Sequence, residues 1–126
     1  MRHHRIAVIG CGALAQGSHL PNCAENPRIQ LVCVCDISTK TAEACAKQFG
    51  ALRAETDWRK VVEADDVDAI ILATHHDIRG KVIIPSLKAK KPVYTEKPLA
   101  PSRAEMTEIL LTARATGVPV CVGHNR

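Results

Sequence analysis

Aromatic side chains are almost missing from this sequence. One Trp, one Tyr and one Phe occur among 126 residues. No platform exists on which nucleic-acid bases could stack in succession, and Val, Ile, Leu and Ala must build the core. Long apolar runs are missing as well. No stretch approaches the roughly 18 residues that a membrane-crossing helix needs, so no membrane partner is expected. Charge of one sign is not in large excess. A net charge of +4 is too small to predict a nucleic-acid partner. The densest basic cluster, Lys88, Lys90 and Lys91, stands just before Pro92. A helix should end there, and cations complement its negative end.

The six cysteines, Cys11, Cys23, Cys33, Cys35, Cys45 and Cys121, contain no CxxC pair. Nothing at the start reads as a secretory leader: residues 1–5 are polar and basic, and the apolar run at 6–9 is short. Buried free thiols in a cytoplasmic protein are therefore expected. Cys33 and Cys35 alternate along a strand and share one face. The histidines predict no metal site, because His75 and His76 are adjacent and cannot easily converge, and His3 and His4 stand at the terminus.

What is present is an ordinary globular mixture, 46% apolar and 24% charged, of a length that suits a single domain over residues 1–126. Short apolar runs alternate with amphipathic stretches. Strands are predicted at 5–10, 29–36, weakly at 51–54, and at 67–74, 92–96 and 118–122. Helices are predicted between them. Pro21 interrupts or restarts the first, Ser38 and Ser102 cap two others, and Gly50 and Gly117 stop them. Thr56 is the expected cap of a short helix with Asp57 in its first turn. Strict alternation predicts α/β architecture: a doubly wound, parallel, six-stranded sheet with helices on both faces.

The turn after the first strand reads Gly10-Cys11-Gly12-Ala13-Leu14-Ala15, a GxGxxA pattern that follows a strand and opens a helix. That context is the one in which the pattern binds a dinucleotide. Gly10 permits the tight turn, Gly12 lets a pyrophosphate approach the backbone, and Ala15 lets helix and strand sit close. The helix start supplies free N–H groups. Asp36 ends the second strand, where a carboxylate accepts hydrogen bonds from the adenosine ribose. It repels a 2′-phosphate, so NAD is favoured, with NADP possible through Lys40. Methyltransferases that use S-adenosylmethionine share this much, so the loop alone leaves that alternative open.

In such a sheet the ligand crosses the carboxyl ends of the strands where their order reverses. Ala73, Thr74 and His76 end the fourth strand, Glu96 and Lys97 the fifth, and Asn125 the sixth. At this point the chain resembles the Gfo/Idh/MocA oxidoreductases. The resemblance rests on "AVIGCGALA", "HLPNCAENPRIQLVCVCD", "DVDAIILAT", "VPVCVGHNR" and above all "VYTEKPLA", which methyltransferases lack. It implies an NAD(P)-binding Rossmann domain of a dehydrogenase acting on a secondary alcohol of a sugar or cyclitol. It implies Glu96 near the nicotinamide ribose and Lys97 as the catalytic lysine facing nicotinamide and substrate. Ala73, Thr74 and Asn125 would contact the cofactor.

The sequence departs from the family in two places. The family's Thr-Pro-Asn is here Thr74-His75-His76, and Arg79 stands where the family has a histidine. His76 is then the residue left to contact ribose or nicotinamide. The carboxy-terminal substrate domain, with its catalytic histidine, is absent. The resemblance thus implies a fragment of a longer enzyme, inactive alone and prone to self-association at its last strand. The alternative is a stand-alone dinucleotide-binding module or sensor.

Overall fold

The structure, a computed structural model, describes residues 4–96 and 99–123, with His76 described by its backbone alone. The apolar runs form β1 (His4–Ile9), β2 (Ile29–Cys35), β3 (Arg53–Glu55), β4 (Ala69–Leu72), β5 (Val93–Glu96) and β6 (Val120–Gly123). Between them lie α1 (Leu20–Glu25), α2 (Thr39–Phe49), α3 (Trp58–Glu63), α4 (Arg79–Lys88) and α5 (Arg103–Thr116). All paired strands are parallel, in the order β3-β2-β1-β4-β5-β6. This is the doubly wound order expected from the alternation, and it reverses between β1 and β4.

Local chemistry accounts for most helix ends. Ser38 accepts the Thr41 N–H at 3.3 Å, and Ser102 accepts the Glu105 N–H at 3.2 Å. Gly50 and Gly117 close α2 and α5 in the left-handed region, at φ 78° and 72°. The cap of α3 differs from expectation. Asp57, not Thr56, is the N-cap and accepts the Arg59 N–H at 3.0 Å, while the Glu55 carboxylate accepts the N–H groups of both Thr56 and Asp57. Pro21 gives a restart. A π-helical turn, Ala15–His19, runs directly into α1. Proline has no N–H and its ring collides with the carbonyl four residues back; the wider turn, with the Leu20 N–H donating to the Ala15 carbonyl, leaves room for it.

Side chains sort into two layers. Ala7, Ile9, Leu72, Ile83, Leu87 and Ile109 belong to one, and Val8, Ala15, Leu20, Leu31, Val34 and Cys45 to the other. Ile6 pairs with Leu31 but Ala7 pairs with Cys33, so Val32 is an extra residue in β2. This bulge sends Val32 and Cys33 to the same layer and breaks simple alternation. Cys33 and Cys35 do share a face.

The basic cluster acts across the fold, not only on its own helix. Lys88 lies in the last turn of α4. Lys90 Nζ donates to the Thr116 carbonyl at the end of α5, 2.9 Å away. Lys91, only 7% exposed, donates to the carbonyls of Val62 and Ala64 at the end of α3. The Lys90 and Lys91 ammoniums each complement a helix end brought near by tertiary packing.

Five thiols are buried, but Cys121 is exposed. It faces a shallow hollow of about 170 Å³ on the sheet, shared with Ile71 and Tyr94, near the edge strand β6. Burial pushes the Cys33 thiol up to about 11 and Cys35 to about 12. Cys11 and Cys23 rise for the same reason. A thiol-reactive chromophore should therefore label one cysteine rapidly in the native chain and all six only after unfolding. Rapid native labelling of several thiols would contradict this packing.

Candidate functional site

The reversal of strand order leaves a crevice of about 330 Å³ at the carboxyl ends of β1, β2 and β4, lined by Gly10, Gly12, Asp36, Ile37, Trp58 and Thr74 among others. The glycines in its floor differ in kind. Gly10 has φ 99°, and a Cβ there would lie 2.7 Å from the carbonyl carbon and oxygen of Ala73. Its role is internal, since it lets the ends of β1 and β4 touch. Among the described residues, no atom lies within 4 Å of where a Gly12 Cβ would stand. No contact among the described residues requires a glycine there; a ligand approaching the backbone would.

Ala15 is fully buried beneath the helical turn, while Ala13 and Leu14 are exposed at its start. The first N–H groups of a helix have no carbonyl behind them and aim outward. The Cys11 N–H is different: it donates to Asp36 Oδ2 at 2.9 Å. Asp36 Oδ1 accepts the Ser38 N–H, also at 2.9 Å. The predicted ribose acid is thus also a tie between the glycine turn and the start of α2. A carboxylate can accept about four hydrogen bonds, so it retains capacity for hydroxyl donors.

On the far wall, Thr74 Oγ1 is buried without a hydrogen-bond partner among the described residues. His75 is exposed and stands 3.2 Å from Asp77. His76 begins a short 3-10 turn, His76–Ile78, and its side chain lies outside the described residues. Lys97 and Asn125 also lie outside them.

Glu96 turns away from this crevice. It lines a second cavity of about 380 Å³ that shares no lining residue with the first. His19 Nε2 is 3.3 Å from Glu96 Oε1, at ion-pair distance but without the alignment of a hydrogen bond. The Tyr94 hydroxyl donates to the same carboxylate oxygen at 3.4 Å, and the His19 and Tyr94 rings meet edge to face. Glu96 Oε2 has no partner among the described residues. His19 was not singled out by the sequence; only tertiary packing reveals its pairing.

Arg79 was also missed as a structural participant. It is 7% exposed, and its guanidinium donates to the carbonyls of Thr74 and Glu96. One signal was available: Arg79, Val82, Ile83, Ser86 and Leu87 follow the spacing of a buried helix face.

Among the described residues, no group of His, Cys, Asp or Glu is arranged to hold a metal, and no helix is long and apolar enough to cross a membrane.

Residues 4–124 match the oxidoreductase family with the NAD-binding Rossmann fold. The chain belongs to the Gfo/Idh/MocA oxidoreductase family. It is 34% identical to scyllo-inositol 2-dehydrogenase (NAD(+)) of Bacillus subtilis over 128 residues, covering 100% of this chain and 37% of that protein. It is 32% identical to a 4-carboxy-2-hydroxymuconate-6-semialdehyde dehydrogenase of Sphingobium over 122 residues, covering 97% and 38%. A 3-ketoreductase of Actinomadura kijaniata, solved with TDP-benzene and NADP, superposes with TM-score 0.89 at 26% identity, covering 96% of this chain and 38% of that one. The chain therefore spans a little over a third of these Gfo/Idh/MocA relatives. What it represents is their NAD-binding Rossmann unit.

Proposed function

We propose that this domain holds NAD(H) for hydride transfer to or from a secondary alcohol carbon of a sugar or cyclitol, within a longer oxidoreductase. The observation that carries the reading is Gly12, a glycine that no contact among the described residues requires, in the lining of a crevice that also includes Asp36 and Thr74, whose hydroxyl has no partner among the described residues.

The residues divide the work. Gly12, Ala13 and Leu14 present backbone N–H groups and the positive helix end to a pyrophosphate. Asp36 accepts the ribose hydroxyls and disfavours a 2′-phosphate. Thr74 Oγ1 supplies a hydrogen bond on the opposite wall. NAD, when bound, supplies the hydride acceptor. Lys97, the next residue in sequence after β5, orients the substrate oxygen and stabilises charge on it. The alcohol proton still needs a positioned base, so the 126-residue chain should bind cofactor without sustained turnover. Substrate class rests on the inositol dehydrogenases among the relatives.

The test is a fluorescence titration with NADH and, in parallel, NADPH. Saturable binding, tighter for NADH, is expected. Asp36→Ala should weaken NADH by about ten-fold, or ~1.4 kcal/mol, and narrow the gap to NADPH. The same change frees the Cys11 N–H, so the loop loosens as well. Unchanged affinity in Asp36→Ala would remove that residue from the site, and no binding of either dinucleotide would overturn the reading.

A further inference from the structure

We infer that Arg79 is a positioning residue that holds the ends of β4 and β5 at the spacing required by the nicotinamide half of the cofactor. This rests on the NAD-binding reading above and adds a residue to it.

The argument starts where the β4–β5 ladder stops. Its paired residues are Ile70 with Val93, Ile71 with Tyr94, and Leu72 with Thr95. The last link is the Thr95 hydroxyl, which donates to the Leu72 carbonyl at 3.1 Å. Among the described residues no ladder pairing joins the two strands beyond it. Arg79 takes over at this point. Its Nε and Nη2 donate to the Thr74 carbonyl at 3.1 and 3.0 Å, and its Nη1 donates to the Glu96 carbonyl at 2.5 Å. The first carbonyl lies just past β4, and the second belongs to the peptide that leads into Lys97.

The chemistry suits arginine. Two carbonyls in different directions need separated donors in one rigid plane, which a guanidinium provides. A lysine ammonium is a single flexible point, and a neutral imidazole has one donor. Burial opposes the charge and lowers the Arg79 pKa, while the Glu96 carboxylate acts in the other direction. The cost of burying the cation is offset by hydrogen bonds to both carbonyls.

Glu96 is held from its other side as well. His19, at the end of the π-helical turn that follows the glycine loop, meets its carboxylate, as does Tyr94. The residue before Lys97 is thus gripped through its main chain by α4 and through its side chain by the first helical segment. Arg79 is the only member of this arrangement that joins β4 to β5 through backbone carbonyls among the described residues.

The test compares two ligands on the 126-residue chain. NADH spans both halves of the site; ADP-ribose lacks nicotinamide and reports on the loop and Asp36 alone. In Arg79→Gln, calorimetry should show NADH affinity reduced about ten-fold or more, equivalent to ~1.4 kcal/mol per decade, with ADP-ribose affinity within about two-fold. Arg79→Lys, which keeps the charge and can reach one carbonyl, should fall between Arg79→Gln and wild type. Equal loss of both ligands in both variants would make Arg79 a general brace of the fold and overturn the inference. Unchanged NADH affinity would overturn it too. Wild type that binds ADP-ribose no more weakly than NADH would also overturn it, leaving the loop assignment standing. Wild type that binds neither would overturn the NAD-binding reading itself.

Discussion

Gly12→Val should abolish NADH binding while leaving stability within about 0.5 kcal/mol of wild type. Gly10→Ala, a smaller change two residues earlier, should cost about 3 kcal/mol or more. The difference follows from what surrounds each Cα. At Gly12 an added Cβ meets no atom of the described residues within 4 Å, so folding should be little affected by the substitution. The space it fills is the approach to the backbone that a pyrophosphate uses. At Gly10 the backbone adopts φ 99°, and the new Cβ would stand 2.7 Å from two backbone atoms of Ala73. Backbone in the centre of a sheet cannot move aside as a flexible side chain can. Thermal melts paired with NADH fluorescence check both. Loss of stability in Gly12→Val equal to that in Gly10→Ala would show that the second glycine serves the fold instead.

The same pair shows what a sequence reveals. Both glycines were visible in the GxGxxA pattern, and so was Asp36, because the motif depends on short-range spacing. The caps at Ser38 and Ser102 and the stops at Gly50 and Gly117 were visible for the same reason. The parallel, doubly wound sheet followed from alternation and the handedness of parallel connections, though not the order of its strands. What could not be read depends on partners distant in sequence. Lys90 and Lys91 looked like charges at the end of α4 and serve α5 and α3. Arg79 looked like a lost histidine and is a bracket between strands. His19 looked like any polar residue in a first helix, and its partner Glu96 arrives four strands later. Pro21 announced an interruption but not that a π-helical turn would accommodate it. Asp36 was legible as an acid at a strand end. Its bond to the Cys11 N–H was not, because the hand of the turn decides which N–H it meets.

Leu72→Ala should be the most damaging single truncation near the site, and it tests whether the crevice depends on the core behind it. Leu72 is fully buried at the end of β4, in the layer that includes Ile83, Leu87 and Ile109. Removing its outer carbons leaves a cavity in a close-packed interior, at a cost of about 2–5 kcal/mol. Total stability for a domain is about 5–15 kcal/mol, so the variant should melt roughly 10–20 °C lower. Its backbone carbonyl, which holds the Thr95 hydroxyl, is unchanged by the substitution. Ala73 and Thr74 should therefore stay in place when the chain is folded, and NADH affinity measured at low temperature should change little. NADH at about one hundred times its dissociation constant should then raise stability by about 2.7 kcal/mol in both wild type and variant. A much smaller rescue in Leu72→Ala would mean that the cavity propagates along β4 into Thr74, and that the crevice wall is held by side-chain packing more than by the sheet ladder and Arg79.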